Sequence, residues 1–449
     1  MLKTSRTHVD LACEVLKLCF EKFSPGDVIK CYTPNMMYLL RHEKDCVRKL
    51  AVEEVYKVQT LDMNILPVPQ YVDIFVSVAQ LVLDKDVGIA NKAILISSNL
   101  LPEAYPRVLE EMKIALEYDS SSKCNAFEVV TNISIKSEEL LQLCGSLGYI
   151  NFMTSELGTD DVLYQMNILE LFTRLAVTPH GINFLIRNGT LDRIAQQVSE
   201  LNRNPLARLL LPGYMKFFGS IAHQYPRELF NKYPVLMDMI FDALDSDDPT
   251  IMPAALDTLE YIGNTIEGKL SLIAIGARFT TALDRVANLI KNSATDIKIR
   301  ALICFAGLIS IDKDPNYSHG PIDQRVTLMT REWFRGLSSQ PPPMVLLSEM
   351  CKNPFPEIKQ AAFKLLDAVC QHNWGAEFVA QTAGFIEYLL DRTVDYTKDA
   401  KEAKYEVIKK LSYTTVFDTS TSTRLHTYVE QGPFYSETIL QVAMEEAND

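Results

Sequence analysis

A helical phrase of fixed design returns along this chain, and a chain that repeats itself at such intervals folds by stacking its copies. At 166–176 the sequence reads Met-Asn-Ile-Leu-Glu-Leu-Phe-Thr-Arg-Leu-Ala, followed by a turn and Gly-Ile-Asn-Phe-Leu-Ile-Arg-Asn-Gly at 181–189. The second copy is Pro-Ala-Ala-Leu-Asp-Thr-Leu-Glu-Tyr-Ile-Gly at 253–263, then Gly-Lys-Leu-Ser-Leu-Ile-Ala-Ile-Gly at 268–276. The third is Gln-Ala-Ala-Phe-Lys-Leu-Leu-Asp-Ala-Val-Cys at 360–370, then a segment from Gly375 to Gly384. Each copy has apolar residues at three- and four-residue spacing, a break, a shorter helix and a closing glycine. Units of this size are the mark of a solenoid, in which neighbouring repeats bury one another's apolar faces.

Short polar turns mark the layers. They lie at 84–87, 159–162, 246–249, 295–297 and 353–356, with weaker copies at 42–45 and 120–122. Asp or Asn in such a turn can accept the unpaired amides of a helix start and favours its dipole. The intervals are mostly about 40 residues, the period of armadillo and HEAT units. Glycines at 145, 148, 189, 276 and 384 each precede a further apolar helix. Glycine turns the chain sharply at a helix end through positive φ, so each unit reads as three helices, the armadillo arrangement. The expected fold is all-α, an armadillo/HEAT-like right-handed superhelical solenoid of stacked helical repeats. One solenoid is expected over 1–449, with N-terminal and central repeats in 1–311 and C-terminal repeats in 325–436. A polar loop is expected at 312–324 and an acidic, frayed tail at 437–449.

Composition narrows the function. The formal charge of −13 and the lack of a basic stripe argue against nucleic acid, and an acidic surface favours a basic or mixed-charge protein partner. The nine cysteines are scattered, without a CxxC pair, and read as reduced, largely buried thiols. The stretch 301–311 is too short to span a bilayer. The chain therefore reads as soluble, cytoplasmic with the nucleus also open, and monomeric when free.

The residues offer no reaction chemistry. Gly263 to Lys269 resembles a phosphate-binding loop, but Leu270 stands where serine or threonine would hold magnesium, and the segment follows a helix rather than a strand. It reads as the turn between two repeat helices. The seven histidines show no metal-ligand spacing; His180 and His372 follow repeat helices, where a positive ring favours a helix C-terminus. No cofactor, metal or catalytic residue is expected, and the chain reads as a non-enzyme.

The long helices should line the groove of the stack. Peptide-holding armadillo proteins place asparagines near the ends of these helices, since an amide grips a peptide backbone with donor and acceptor together. The matching places here hold Arg174, Ser220, Tyr261, Leu308 and Ala368, and one turn earlier Glu170, Lys216, Asp257, Cys304 and Lys364. A mixed-charge groove without the asparagine ladder suits a folded domain better than an extended peptide. The candidate partner-binding residues are Asn167, Glu170, Arg174, Lys216, Ser220, Asp257 and Tyr261.

A series of short motifs carries a resemblance. Leu-Pro-Gly-Tyr-Met-Lys-Phe-Phe-Gly at 211–219 opens a helix with proline and glycine and continues strongly aromatic. In order there follow Tyr-Pro-Val (233–235), Asp-Pro-Thr (248–250), Glu-Gly-Lys (267–269), Asn-Pro-Phe-Pro-Glu (353–357), Gly-Phe-Ile-Glu-Tyr (384–388) and Ala-Lys-Tyr-Glu (403–406). Leu-His-Thr-Tyr-Val-Glu-Gln-Gly-Pro-Phe-Tyr at 425–435 closes the series. Collinear over 162–435, this resembles the family of 26S proteasome non-ATPase regulatory subunit 5, the assembly chaperones of the regulatory-particle base. The resemblance implies an armadillo/HEAT solenoid binding the C-terminal domain of the first base ATPase. It further implies a module with the second ATPase and the largest non-ATPase scaffold subunit, and release before the finished proteasome forms. A generic armadillo adaptor holding another protein or a linear motif is the alternative. Against the family the chain begins late, so Val15, Leu18 and Phe20 of the first helix are expected to be partly exposed.

Overall fold

The computed structural model describes residues 8–24, 26–61, 68–200, 206–246, 248–311, 324–395 and 397–435. The expected loop at 312–324, apart from Gln324, and the expected tail at 437–449 lie outside them. Every regular element among the described residues is helical, and none of these helices is long and apolar enough to cross a membrane. The chain divides into two compact units, Met1–Phe217 and Phe218–Asp449. The long helices are α1 (Asp45–Leu61), α2 (Val87–Ser98), α3 (Ser120–Ser134), α4 (Val162–Ala176), α5 (Leu211–Gln224), α6 (Ile251–Gly263), α7 (Thr295–Ile309), α8 (Pro356–Val369), α9 (Lys398–Ser412) and α10 (Thr419–Gln431). In the first unit α1, α2, α3 and α4 pack in succession; in the second, α6 through α10 do so.

The three-helix layer expected from the repeats is present. After α4 come Pro179–Arg187 and Thr190–Glu200, after α6 come Ile266–Ala274 and Ala277–Asn292, and after α8 come Asn373–Gln381 and Phe385–Leu390. The same triplet follows from α3, with Glu138–Ser146 and Tyr149–Glu156. The stack is thus of the armadillo/HEAT-like kind. Gly148, Gly189, Gly276 and Gly384 turn the corners at φ of 88°, 72°, 77° and 71°, a region costly to residues bearing a Cβ. The glycines that open the second helix in all three copies have a different cause. A Cβ on Gly181, Gly268 or Gly375 would collide with the backbone carbonyl of Leu175, Ile262 or Val369 at the end of the preceding helix. Two helices can fold back this tightly only where that residue has no side chain.

The polar turns act as caps in only some layers. Asp86, Asp119 and Asp161 accept the amides of Ile89, Ser122 and Tyr164 at 2.9–3.0 Å, the N-cap geometry expected. The turns before α6, α7 and α8 place Thr250, Ala294 and Phe355 at the N-cap, and none of these side chains caps. There Asp248 and Asn353 brace the approach to the helix, accepting the amides two residues on at 2.8 and 2.9 Å.

Helix C-termini are completed by the layer that follows. Lys136 donates to the Ser98 carbonyl at 2.5 Å, His180 meets Ser134 at 2.9 Å, Arg285 meets Leu244 at 3.2 Å, His372 meets Ile309 at 2.8 Å and Tyr388 meets Cys351 at 2.6 Å. Each acceptor is the last residue of its helix, where carbonyls have no intrahelical partner. The two histidines do cap helix ends as expected, though on the preceding layer's long helix rather than the helix just before them in sequence. His372 also departs in charge. Burial lowers its pKa to about 4, so the ring caps as a neutral hydrogen-bonding group and not as a cation.

The core is continuous along each stack. α7 buries Ala301, Leu302, Cys304, Phe305, Ala306, Leu308 and Ile309 between α6 and α8. Each fully buried leucine or phenylalanine contributes about 1.5–3 kcal/mol relative to exposure. All nine cysteines are free thiols; Cys144, Cys304, Cys351 and Cys370 are buried, whereas Cys19 and Cys31 are exposed. The helix His8–Phe20 buries none of its residues. Val15 and Leu18 are 59% and 62% exposed, as expected.

Candidate functional site

The predicted groove residues fall in both units, and each group has its own geometry. In the first unit Asn167, Glu170 and Arg174 project from α4 at successive turns and line a cleft of about 560 Å³ with residues of α2 and α3. Their spacing of three and four residues places them on one helix face. Arg174 donates to Glu128 of α3 at 2.6 Å and also to the Asn132 side chain. Glu170 accepts Lys216 of α5 at 2.6 Å, with the two side chains 50% and 63% exposed. Asn167 lies beside Cys124, whose thiol burial pushes up to about 11. That thiol is protonated at neutral pH and supplies no nucleophile.

The sequence reading missed Glu128 and Asn132, although they repeat the four-residue spacing of Glu170 and Arg174 one layer earlier. Asn132 stands two residues from the end of α3, as Arg174 does in α4. It occupies a ladder position, but its amide is engaged, donating to Ser98 at 3.1 Å while its oxygen accepts Arg174.

In the second unit Asp257 accepts Arg300 of α7 at 2.5 Å. Tyr261 lies flat on His223 of α5, with ring centroids 4.0 Å apart and planes within 6°, and its carbonyl meets His223 Nδ1 at 2.7 Å. Ser220 is half-buried on α5. Glu260 crosses over Gly307 of α7, where a Cβ would press on its side chain, and approaches Lys364 of α8 at 3.6 Å. Asp367 of α8 pairs with Lys410 of α9.

Three of the places matched to the groove by helical phase are not on it. Cys304 and Leu308 are fully buried and Ala368 is 3% exposed. α7 is apolar around its C-terminal half and is held between two neighbours, so it has no solvent face there. Gly263 and Gly307 let α6 approach closely, with Leu308 packed against Gly263. The polar surface of α7 lies nearer its start, at Arg300.

Between the long helices the acid stands on the earlier helix and the base on a later one. This holds for Glu53–Lys92, Glu128–Arg174, Glu170–Lys216, Asp257–Arg300, Glu260–Lys364 and Asp367–Lys410. Exposed pairs of this kind contribute about 0.2–1 kcal/mol each; their larger effect is to fix side-chain positions and cancel charge locally. Within each unit these helix faces are therefore polar and ordered without a strong field of either sign.

The resemblance to a phosphate-binding loop resolves as a helix junction. Gly263 ends α6, and Thr265 caps the next helix by accepting the Gly268 amide at 3.0 Å. Lys269 is fully buried and donates to the carbonyls of Gly263 and Gly307 at 2.5 and 3.2 Å. Among the described residues no group of three or more His, Cys, Asp or Glu is placed to hold a metal ion.

Comparison with known proteins adds identity to this geometry. Relatives named 26S proteasome non-ATPase regulatory subunit 5 include the Bos taurus protein, 28% identical over 456 residues, and the Homo sapiens protein, 27% identical over 454. Each alignment covers 98% of this chain and 88% of the relative. Among solved structures, an engineered protein aligns at a TM-score of 0.45 and 13% identity, over 88% of this chain and 97% of its own. The family described as proteasome non-ATPase 26S subunit matches residues 1–449. With its repeats, its three-helix layers and this match over its whole length, the chain belongs to the proteasome non-ATPase 26S subunit family.

Proposed function

We propose that this chain is a non-enzymatic chaperone for assembly of the regulatory-particle base of the 26S proteasome. In this reading it binds the C-terminal domain of the first base ATPase, in a module that includes the second ATPase and the largest non-ATPase scaffold subunit. It leaves before the mature proteasome forms, and it acts as a monomer in the cytoplasm. The family match over the full chain carries the proposal. The character of the groove face supports it. Glu170, Arg174, Lys216 and Asp257 are already paired across layers, which suits docking of a folded, polar surface better than gripping a bare peptide backbone. A partner on an ATPase tail domain blocks early contact with the proteolytic cylinder by occupying its space.

The test is a pulldown from lysate with the purified chain as bait, read by mass spectrometry and followed by titration with the isolated ATPase domain. Recovery of base ATPases without the proteolytic cylinder is expected. Recovery of other proteins and no ATPase overturns the reading. Placement on the groove face is tested by Arg174→Glu, which sets two acids against each other at Glu128. At least a tenfold loss of affinity with unchanged helicity is expected, and unchanged affinity moves the interface elsewhere.

A further inference from the structure

The second unit carries a cationic cleft that the proposed function does not use. It lies between α9, α10 and the segment after Leu390, with a volume of about 690 Å³. Arg392, Lys401 and Arg424 stand on its wall against a single acid, Asp391. This is a local excess of positive charge in a chain whose formal charge is −13.

The charges are held in place without being cancelled. The Arg392 guanidinium lies 3.6 Å over the Tyr428 ring and 5.3 Å from that of Tyr435. It donates to the carbonyls of Gly432 and Tyr428 at 2.8 and 3.1 Å and to the Gln431 side chain at 3.3 Å. All these acceptors are neutral, so they satisfy its N–H groups and leave its charge facing the cleft. Stacking on tyrosine fixes the plane of the guanidinium. Lys401 pairs with no carboxylate among the described residues. Arg424 reaches Glu387 only at 4.0 Å, with both side chains half exposed or more, a geometry that contributes little. Asp391 is exposed on the same wall and accepts the Thr393 amide and hydroxyl at 2.8 and 2.7 Å, so it offsets one of the three cations and leaves the other two in excess. These bonds hold its carboxyl below the usual carboxylate range.

We propose that this cleft binds an acidic peptide segment of a partner protein, with Lys401 and Arg424 meeting its carboxylates and Arg392 and Tyr428 forming a rigid wall. The excess of cations selects negative charge. The cleft is several times larger than a single small anion needs, and its tyrosine and threonine walls suit an extended chain. Paired charge-assisted hydrogen bonds from lysine and arginine are the strongest contacts available to such a ligand.

The experiment is fluorescence anisotropy with fluorescein-labelled hexaglutamate and the full chain at low salt. Saturable binding is expected, weakening as salt is raised, with hexaglutamine unable to compete. Lys401→Glu combined with Arg424→Glu is expected to weaken binding at least tenfold, while Lys291→Glu on the exposed face of another helix leaves it unchanged. Both cleft positions reach solvent, so the fold tolerates the changes; circular dichroism checks this. Should the double variant unfold, Lys401→Gln alone must weaken binding several-fold. Absence of saturable binding to hexaglutamate, equal binding by the cleft variants, or competition by hexaglutamine each overturns the proposal.

Discussion

Two buried side chains show how single residues decide the stability of the second unit. Lys269 is wholly enclosed and serves two helix carbonyls. Replacing it by methionine keeps most of the volume and leaves the Gly263 carbonyl without its donor, while that of Gly307 still accepts the Ser310 hydroxyl, at about 1–3 kcal/mol for the one buried group left unsatisfied. Lys269→Met is therefore expected to lower the urea midpoint of the second unit's transition with little change in helix content. His372 gives the pH dependence. Its ring is 2% exposed, stacks on Trp374 with centroids 5.0 Å apart, and its Nδ1 has no partner. Burial, opposed by the Ile309 carbonyl and aided by the charge of Lys269, lowers its pKa from 6.5 to about 4. Between those values the unfolded state binds the proton and the folded state does not, so stability rises with pH through this window. The contribution is complete above about pH 6.5 and is lost as pH falls toward 4, a change of roughly 3 kcal/mol. In denaturant titrations from pH 7 to 4.5, His372→Gln should show a shallower loss than the unsubstituted chain.

At the level of helices, the ion pairs between layers predict an asymmetric outcome for charge changes. Lys216→Glu faces Glu170 and should cost up to about 1 kcal/mol, as should Glu170→Lys facing Lys216. The two together restore a pair of reversed sense and should recover most of that loss, which a double-mutant cycle by chemical denaturation measures directly. The helices themselves were legible in the sequence because their apolar spacing and corner glycines serve one purpose in every layer. Asn167, Glu170, Arg174 and Lys216 were legible for the same reason, since α4 and α5 are amphipathic and helical phase names their exposed faces. Phase failed at Cys304 and Leu308 because α7 has no polar side over its second half. The contacts between layers were not legible either. Arg174 meeting Glu128, or Tyr261 meeting His223, depends on how far one helix is rotated against the next, which no single helix encodes. The cleft around Arg392 escaped notice because its cations come from three separate segments, each unremarkable alone.

For the whole molecule, the net charge of −13 and the ion pairs within each unit predict how a partner arrives and stays. Long-range attraction to a basic partner should raise the association rate at low ionic strength, with screening setting in over a Debye length of about 8 Å at physiological salt. Stopped-flow mixing with a partner domain of net positive charge should therefore show an association rate that falls with salt and a dissociation rate that changes little. The capping of helix ends has a consequence for synthesis. Ser98, Ser134, Leu244, Ile309 and Cys351 all receive a side chain that lies downstream in sequence. On the ribosome, each layer thus emerges with exposed carbonyls and is finished only when the next one follows it out. Maturation then runs in the direction of translation: a nascent chain stalled with His180 still inside the exit tunnel should leave α3 more open to protease than one stalled far enough downstream for His180 to have emerged.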